Sequence, residues 1–518
     1  MSSVRVAQQK HSQYYETVLR QYHRLYRTGG NDVIIVLKQF DLDWLNMQVG
    51  QKWDANKAKS DRRAAILCCY YPDAGAMILN MRQTPNQRIE WLNAAISSAD
   101  FLDDKPSKSN HLGNLGLIYS ERGDTNLAEN YFSEALLLAR DNGNSKQEAS
   151  QLGNLGMLFA QSGRFEQAIF HLEKCYEIMV SLGNLHGQAN ALGNLGLAYD
   201  SVGNFEEALK AYSQTLKLFD EMGDLYGQAH VHGEIGSVLI KKGRYQEAQS
   251  SVEKQLNLSS QLGDQSGINM ALNNLAIVYV RLGNLDKGIE YLQKNIEMDR
   301  ELGIQRSEAN GLGNLGNVFA RVGKLEQAFA AYERQISIGQ ELNDKAIVRD
   351  SYSNFGNFYL RKNDFDLALD YFQKALGLDK ELGDAYGEEG DTCNAGTASR
   401  LRGELNKAVE FHLKALEIAQ NIGDEYGEGS AISNLGSDYL ALGDVEKAGP
   451  YFEKYHEISV RIGDVKGQAD AIRNQASLDI KTNNAERAIE RLKNALVLYK
   501  QIGDPDAEKI ERALNSLK

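Results

Sequence analysis

An asparagine recurs every 40 residues in this chain: Asn114, Asn154, Asn194, Asn274, Asn314, Asn354, Asn394, Asn434 and Asn474, with Glu234 at the one place the series misses. A carboxamide offers one acceptor and two donors. A row of them can therefore pair with the C=O and N–H groups of an extended backbone, with little regard to its sequence. Inside a helix Asn costs about half a kcal/mol relative to Ala, yet nine of ten units keep it. Three readings stand: contact with a ligand, a bond between neighbouring helices, or a relic of unit duplication. Duplication alone explains little, because another position has drifted through Phe132, Leu172, Tyr212, Val252 and His412.

Residues spaced i, i+4, i+7 and i+11 share one face of an α-helix. Two successive units read Asn310, Asn314, Asn317, Arg321 and Asp350, Asn354, Asn357, Arg361 along that face. At the last position the middle units carry Lys241, Arg281, Arg321 and Arg361, four cations in a row in a protein of net charge −13. Arg forks onto carboxylates. The expected ligand is thus an acidic segment, extended or partly helical, seated at the units from 241 to 361. The plainer alternative is a solvated helix end that balances the C-terminal dipole. The expected peptide-binding set is the nine asparagines together with Asn317, Asn357, Lys241, Arg281, Arg321 and Arg361.

Helical hairpins must position these side chains. Leu112, Leu115, Gly116 and Tyr119 follow i, i+3, i+4, i+7 spacing, one stripe of an amphipathic helix. Gly123 then breaks the chain, and a second helix places Ala128, Phe132, Ala135 and Leu136 on one face. The within-unit turn is Gly throughout except at Asn363 and Asn483. Asn is the other residue that enters the left-handed region cheaply. The position of Ala128 stays Ala or Gly in every unit, which implies close helix approach. A fixed period of this length means a solenoid of stacked units, with a long surface in place of one pocket.

Leu112, Leu115-Gly116, Tyr119, Ala128, Phe132 and Ala135 fall at the spacing of the tetratricopeptide (TPR) signature, and the match recurs through ten units. The chain resembles the longer-helix members of that family, among them the spindle-orientation adaptors with Leu-Gly-Asn repeats and many bacterial signalling proteins. The resemblance implies an all-α, right-handed α-α superhelix whose first helices line the concave face. It also implies that matching asparagines form a ladder along bound peptides. The expected layout is an N-terminal helical cap over 1–66, a degenerate repeat over 67–108, ten 40-residue units over 109–504, and a capping helix over 505–518. In that last helix Asp504 suits the N-cap and Pro505 the first turn. Residues from His11 to about Ala99 are similar to the helical segment that leads into the repeat arm of some bacterial STAND NTPases. That likeness suggests a second function, a regulatory module for a separately encoded effector.

Other chemistry finds no support. The acidic balance argues against nucleic-acid binding. Cys68, Cys69, Cys175 and Cys393 lack metal-ligand spacing and fit free thiols in a reducing, cytoplasmic setting. No apolar run is long enough to span a membrane, and residues 1–10 lack a signal-peptide core. There is no Gly-x-x-x-x-Gly-Lys-[Ser/Thr]. His232 and His412 stand at packing positions and read as satisfied core histidines. No catalytic residue, metal or cofactor is expected. Pro450, inside a second helix, is expected to bend it.

Overall fold

A computed structural model describes residues 3–28, 32–504 and 506–516, and every regular element among them is a helix. The first five are α1 (Ser3–Thr28), α2 (Asp32–Lys57), α3 (Arg62–Ala74), α4 (Ala76–Arg82) and α5 (Pro85–Leu102). Five hairpins come next: α6 (Lys105–Glu121) with α7 (Thr125–Asp141), α8 (Ser145–Gln161) with α9 (Phe165–Ser181), α10 (Leu185–Ser201) with α11 (Phe205–Met222), α12 (Leu225–Lys241) with α13 (Tyr245–Leu262), and α14 (Gln265–Arg281) with α15 (Leu285–Leu302). Five more follow: α16 (Gln305–Arg321) with α17 (Leu325–Glu341), α18 (Lys345–Arg361) with α19 (Phe365–Leu382), α20 (Ala385–Arg402) with α21 (Leu405–Ile422), α22 (Glu425–Leu442) with α23 (Val445–Arg461), and α24 (Val465–Lys481) with α25 (Ala485–Gln501). The last helix is α26 (Asp506–Ser516). The chain is an all-α solenoid.

The helices form two compact units, residues 1–224 and 225–518. In the first, α1 and α2 pack on α3–α5 through a core of Leu19, Phe40, Met47, Tyr71 and Ile78. Trp44 stands beside Trp91 with ring centroids 5.6 Å apart. The region expected to be a degenerate repeat departs from the hairpin pattern. Its first helix is broken at Gly75 into α3 and α4. Gly75 packs on the Leu19 side chain, so a larger residue there would collide with α1.

Turn chemistry sets the period. Gly123 has φ 79°, and Asn363 and Asn483, the two exceptions to glycine, each have φ 58°. Many first turns are capped, as where Asn184 Oδ1 accepts from the Gly187 N–H at 3.0 Å. Asp124, at the start of α7, makes no such bond. Helix α23 runs unbroken through Pro450. At the C-terminal end Asp504 Oδ1 accepts from the Asp506 N–H at 2.8 Å, while Pro505 and the Gly29-Gly30 break lie outside the described residues. Ile510 and Leu514 of α26 cover Leu492 and Tyr499.

Within each unit the first helices of successive hairpins pack on one another, as α6 does on α8 and α16 on α18, with α14 and α16 the exception, and no pair of successive second helices does so to a comparable degree. In a curved stack the closer-spaced row lies on the inner side. No described helix is long and apolar enough to cross a membrane.

Candidate functional site

Two glycines in each Leu-Gly-Asn-Leu-Gly block shape the inner row. The second admits the bulky residue of its own hairpin. A Cβ at Gly116 would lie 2.5 Å from the Phe132 ring, and one at Gly436 2.5 Å from the Phe452 ring. The first glycine opens a window between helices. A Cβ at Gly233 would meet Gln255 Nε2 at 2.6 Å, and one at Gly313 would meet Gln335 Nε2 at 2.7 Å. Where the second helix carries a smaller residue there is room: Cys175 Sγ stands 3.6 Å from a Cβ at Gly153.

Gln255, Asn295 and Gln335 are therefore buried amides that reach from the second helices toward the asparagine row. Sequence reasoning missed them. Their signal was a small-residue position, Ala135, Cys175, Thr215, that turns to Gln255, Asn295, Gln335 in the middle and back to Ala375 and Ala415.

None of the asparagines in the series is buried. They divide by partner. Asn154 Nδ2 donates to Gln151 at 3.3 Å, Asn354 Nδ2 to Gln335 Oε1 at 3.0 Å, Asn434 Nδ2 to Cys393 Sγ at 3.2 Å, and Asn474 Nδ2 to Ser433 Oγ at 3.1 Å. Asn317 Nδ2 donates to Asn354 Oδ1 at 3.2 Å and its own Oδ1 accepts from the Tyr332 hydroxyl at 2.8 Å. Asn114, Asn194, Asn274, Asn314, Asn357 and Asn394 make no side-chain hydrogen bond to the described protein, and Asn314 is exposed. Glu234 is half-buried near His230.

Lys241, Arg281, Arg321 and Arg361 all end first helices and are exposed. The three arginines have no carboxylate within ion-pair distance among the described residues.

Two clefts meet at Asn317. The larger, about 550 Å³, opens beside α14 and α16, which scarcely touch, and is lined by Asn273, Asn310, Asn314, Asn354, Gln335 and Asp350 among others. The second, about 440 Å³, has Arg321 and Arg361 over an apolar floor of Val280, Val318, Phe358 and Leu360. The structure thus brings Asn314, Asn317, Asn354, Asn357, Arg321 and Arg361 together. Asn114, Asn154 and Asn194 belong to the first unit, where Asn114 borders a small cleft beside Trp91 and Leu92.

Behind the larger cleft lies an ionic network. Arg349 donates from Nε to Asp350 at 2.8 Å, and from Nη1 to Asp379 at 2.5 Å and Asp384 at 2.9 Å. Ser353 Oγ donates to Asp391 at 2.7 Å. Burial pushes the Asp391 carboxyl up to about 7, with the charge of Asp379 adding to the rise. Burial also raises Glu389 to about 7, aided by Asp424. Asp350 is raised by burial against the pull of Arg349.

The two histidines at packing positions are hydrogen-bonded inside the protein. His412 is wholly buried where other units carry an aromatic, and its ring bonds Asp438 and, at 3.1 Å, the Cys393 carbonyl. His232 Nδ1 lies 3.2 Å from Ser251 Oγ. All four thiols are buried. Burial raises each, Cys393 to about 11 and Cys69 to about 12. No group of three or more His, Cys, Asp or Glu among the described residues could hold a metal ion.

The tetratricopeptide repeat family matches residues 147–221, 227–301, 267–341, 307–381 and 391–461, more than half of the chain. The chain belongs to the tetratricopeptide repeat family. Two further descriptions of the same repeat match residues 194–254 and 112–142 of this TPR protein. The repeat fold is that of a protein–protein interaction scaffold, and such scaffolds are generally non-catalytic.

Among solved structures, a STAND signal-transduction ATPase with a tetratricopeptide repeat sensor from Pyrococcus horikoshii is 18% identical, with TM-score 0.39 over 67% of this chain and 49% of its own. A Rap protein complexed with competence and sporulation factor is 14% identical, with TM-score 0.48 over 69% of this chain and 98% of its own. Yeast Tom70 is 14% identical, with TM-score 0.44 over 86% of this chain and 96% of its own. These likenesses concern the fold alone. No curated relative matches the TPR chain in sequence.

Proposed function

We propose that this TPR protein is a non-catalytic scaffold that grips an extended, acidic segment of a partner protein along the first helices of its second unit. One observation carries the reading. Asn274 and Asn314 keep their carboxamides free of partners among the described residues. Asn314 lies in an amide-lined cleft beside the unpaired Arg321 and Arg361. Amides would hold the backbone and guanidinium groups the acidic side chains. The buried free thiols support a reducing compartment such as the cytoplasm.

The test is affinity capture from cell extract with the wild type and the Asn274→Ala, Asn314→Ala double variant. Neither residue holds a bond inside the protein, so melting should be unchanged while recovered partner falls at least several-fold. A triple variant that adds Asn354→Ala tests the ladder more severely, since it also strips Gln335 of its donor. Equal recovery by the double variant would dismiss the asparagines as a ligand site.

A further inference from the structure

The two clefts are the two sides of one groove, and their charges are opposite. Asp350 and Arg361 share a helix face, eleven residues apart, which is about 16 Å along the axis. Asp350 stands at the amino-terminal rim, where one guanidinium, Arg349, serves Asp350, Asp379 and Asp384 together. That rim holds excess negative charge. At the carboxy-terminal rim Arg321 and Arg361 have no carboxylate partner among the described residues. Amides, including Asn314, Asn317 and Asn354, lie between the rims.

An extended chain lying along the amides presents successive side chains to opposite sides. Every second residue would then face the arginines and the others the Asp350 rim. Helices α16 and α18 pack on each other, and packed helices stand roughly 8–10 Å apart, so Arg321 and Arg361 span a distance covered by about three extended residues. Two adjacent cations call for more than the single carboxylate of a chain terminus. We propose that the groove reads charge alternation: an internal segment of a partner protein with acidic side chains at alternate positions facing Arg321 and Arg361, and a Lys or Arg between them facing Asp350. This rests on the groove being the ligand site.

Fluorescein-labelled synthetic 11-residue peptides provide the probe, read by anisotropy against the full chain. One carries Glu at alternate positions with a central Lys. The other has the same composition with the Glu residues contiguous and the Lys terminal. The alternating peptide should bind at least about tenfold more tightly, a difference of about 1.4 kcal/mol. Arg321→Glu with Arg361→Glu should abolish that preference. Asp350→Lys should weaken the alternating peptide and restore binding to a version whose central Lys is Glu, a swap that a purely structural role would not produce. Equal binding of the two peptides overturns alternation and leaves an acidic-segment groove standing. No binding of either also overturns it, and the capture experiment above then decides separately whether the asparagines contact a partner.

Discussion

Gly316 and Gly153 occupy similar helices and differ in what stands opposite them. A Cβ at Gly316 would lie 2.4 Å from the Tyr332 ring, whereas at Gly153 the nearest atom would be Cys175 Sγ at 3.6 Å. Overpacking of this kind costs about 1–3 kcal/mol, and Gly→Ala at an unobstructed helical site gains roughly 0.5–1 kcal/mol. Gly316→Ala should therefore lower the stability of its hairpin and Gly153→Ala raise it, read by amide hydrogen exchange. The first change should also reach the groove, because the displaced Tyr332 hydroxyl donates to Asn317.

The network joining α18, α19 and α20 gives an element its own pH response. Asp391 and Glu389 have folded pKa values of about 7, above the roughly 4 of an unfolded carboxyl. Between those values the folded chain holds protons that the unfolded chain would release. Stability contributed by these groups is present at low pH and is lost as pH rises through about 7. Asp391→Asn can still accept from Ser353 and carries no charge to bury. Its stability relative to the wild type should therefore rise by about 2–3 kcal/mol between pH 5 and pH 8, measured by denaturant titration at both pH values. A constant difference between the two proteins at both pH values would refute the assignment.

Hairpins were legible from sequence because their features recur in nearly every unit: Gly123 and its successors, Ala128 and its successors, the asparagine that follows Gly113 and its counterparts. Features stated once were not. Arg349 and its acidic partners look like ordinary helix-surface residues until 30 or more positions of intervening chain are folded back. Gln255, Asn295 and Gln335 replace small residues only in the middle units, so an average over repeats hides them. The asparagine series was legible as a row, yet which members keep a free carboxamide depends on neighbours such as Gln335 and Cys393.

At the scale of the molecule, each hairpin touches mainly its neighbours, so stability is local and the ends matter most. Ile510 and Leu514 close the second unit over Leu492 and Tyr499. Ile510→Asp with Leu514→Asp should fray α24–α26 and leave α12–α18 protected. Hydrogen exchange resolved by peptide would show loss confined to residues beyond about 465, and loss spread evenly through the second unit would contradict a stack of nearest neighbours.

The indoles have an uneven distribution with a practical outcome. Trp44, Trp53 and Trp91 are the only three in the chain, and Trp44 and Trp91 stand side by side inside the first unit's opening core. Intrinsic emission excited at the indole band therefore reports on that end alone, while every repeat beyond it is optically dark. One indole introduced at an exposed, non-contacting site of α16 or α18, in a background with the native three replaced by Phe, would turn the groove itself into the luminescent part of the molecule.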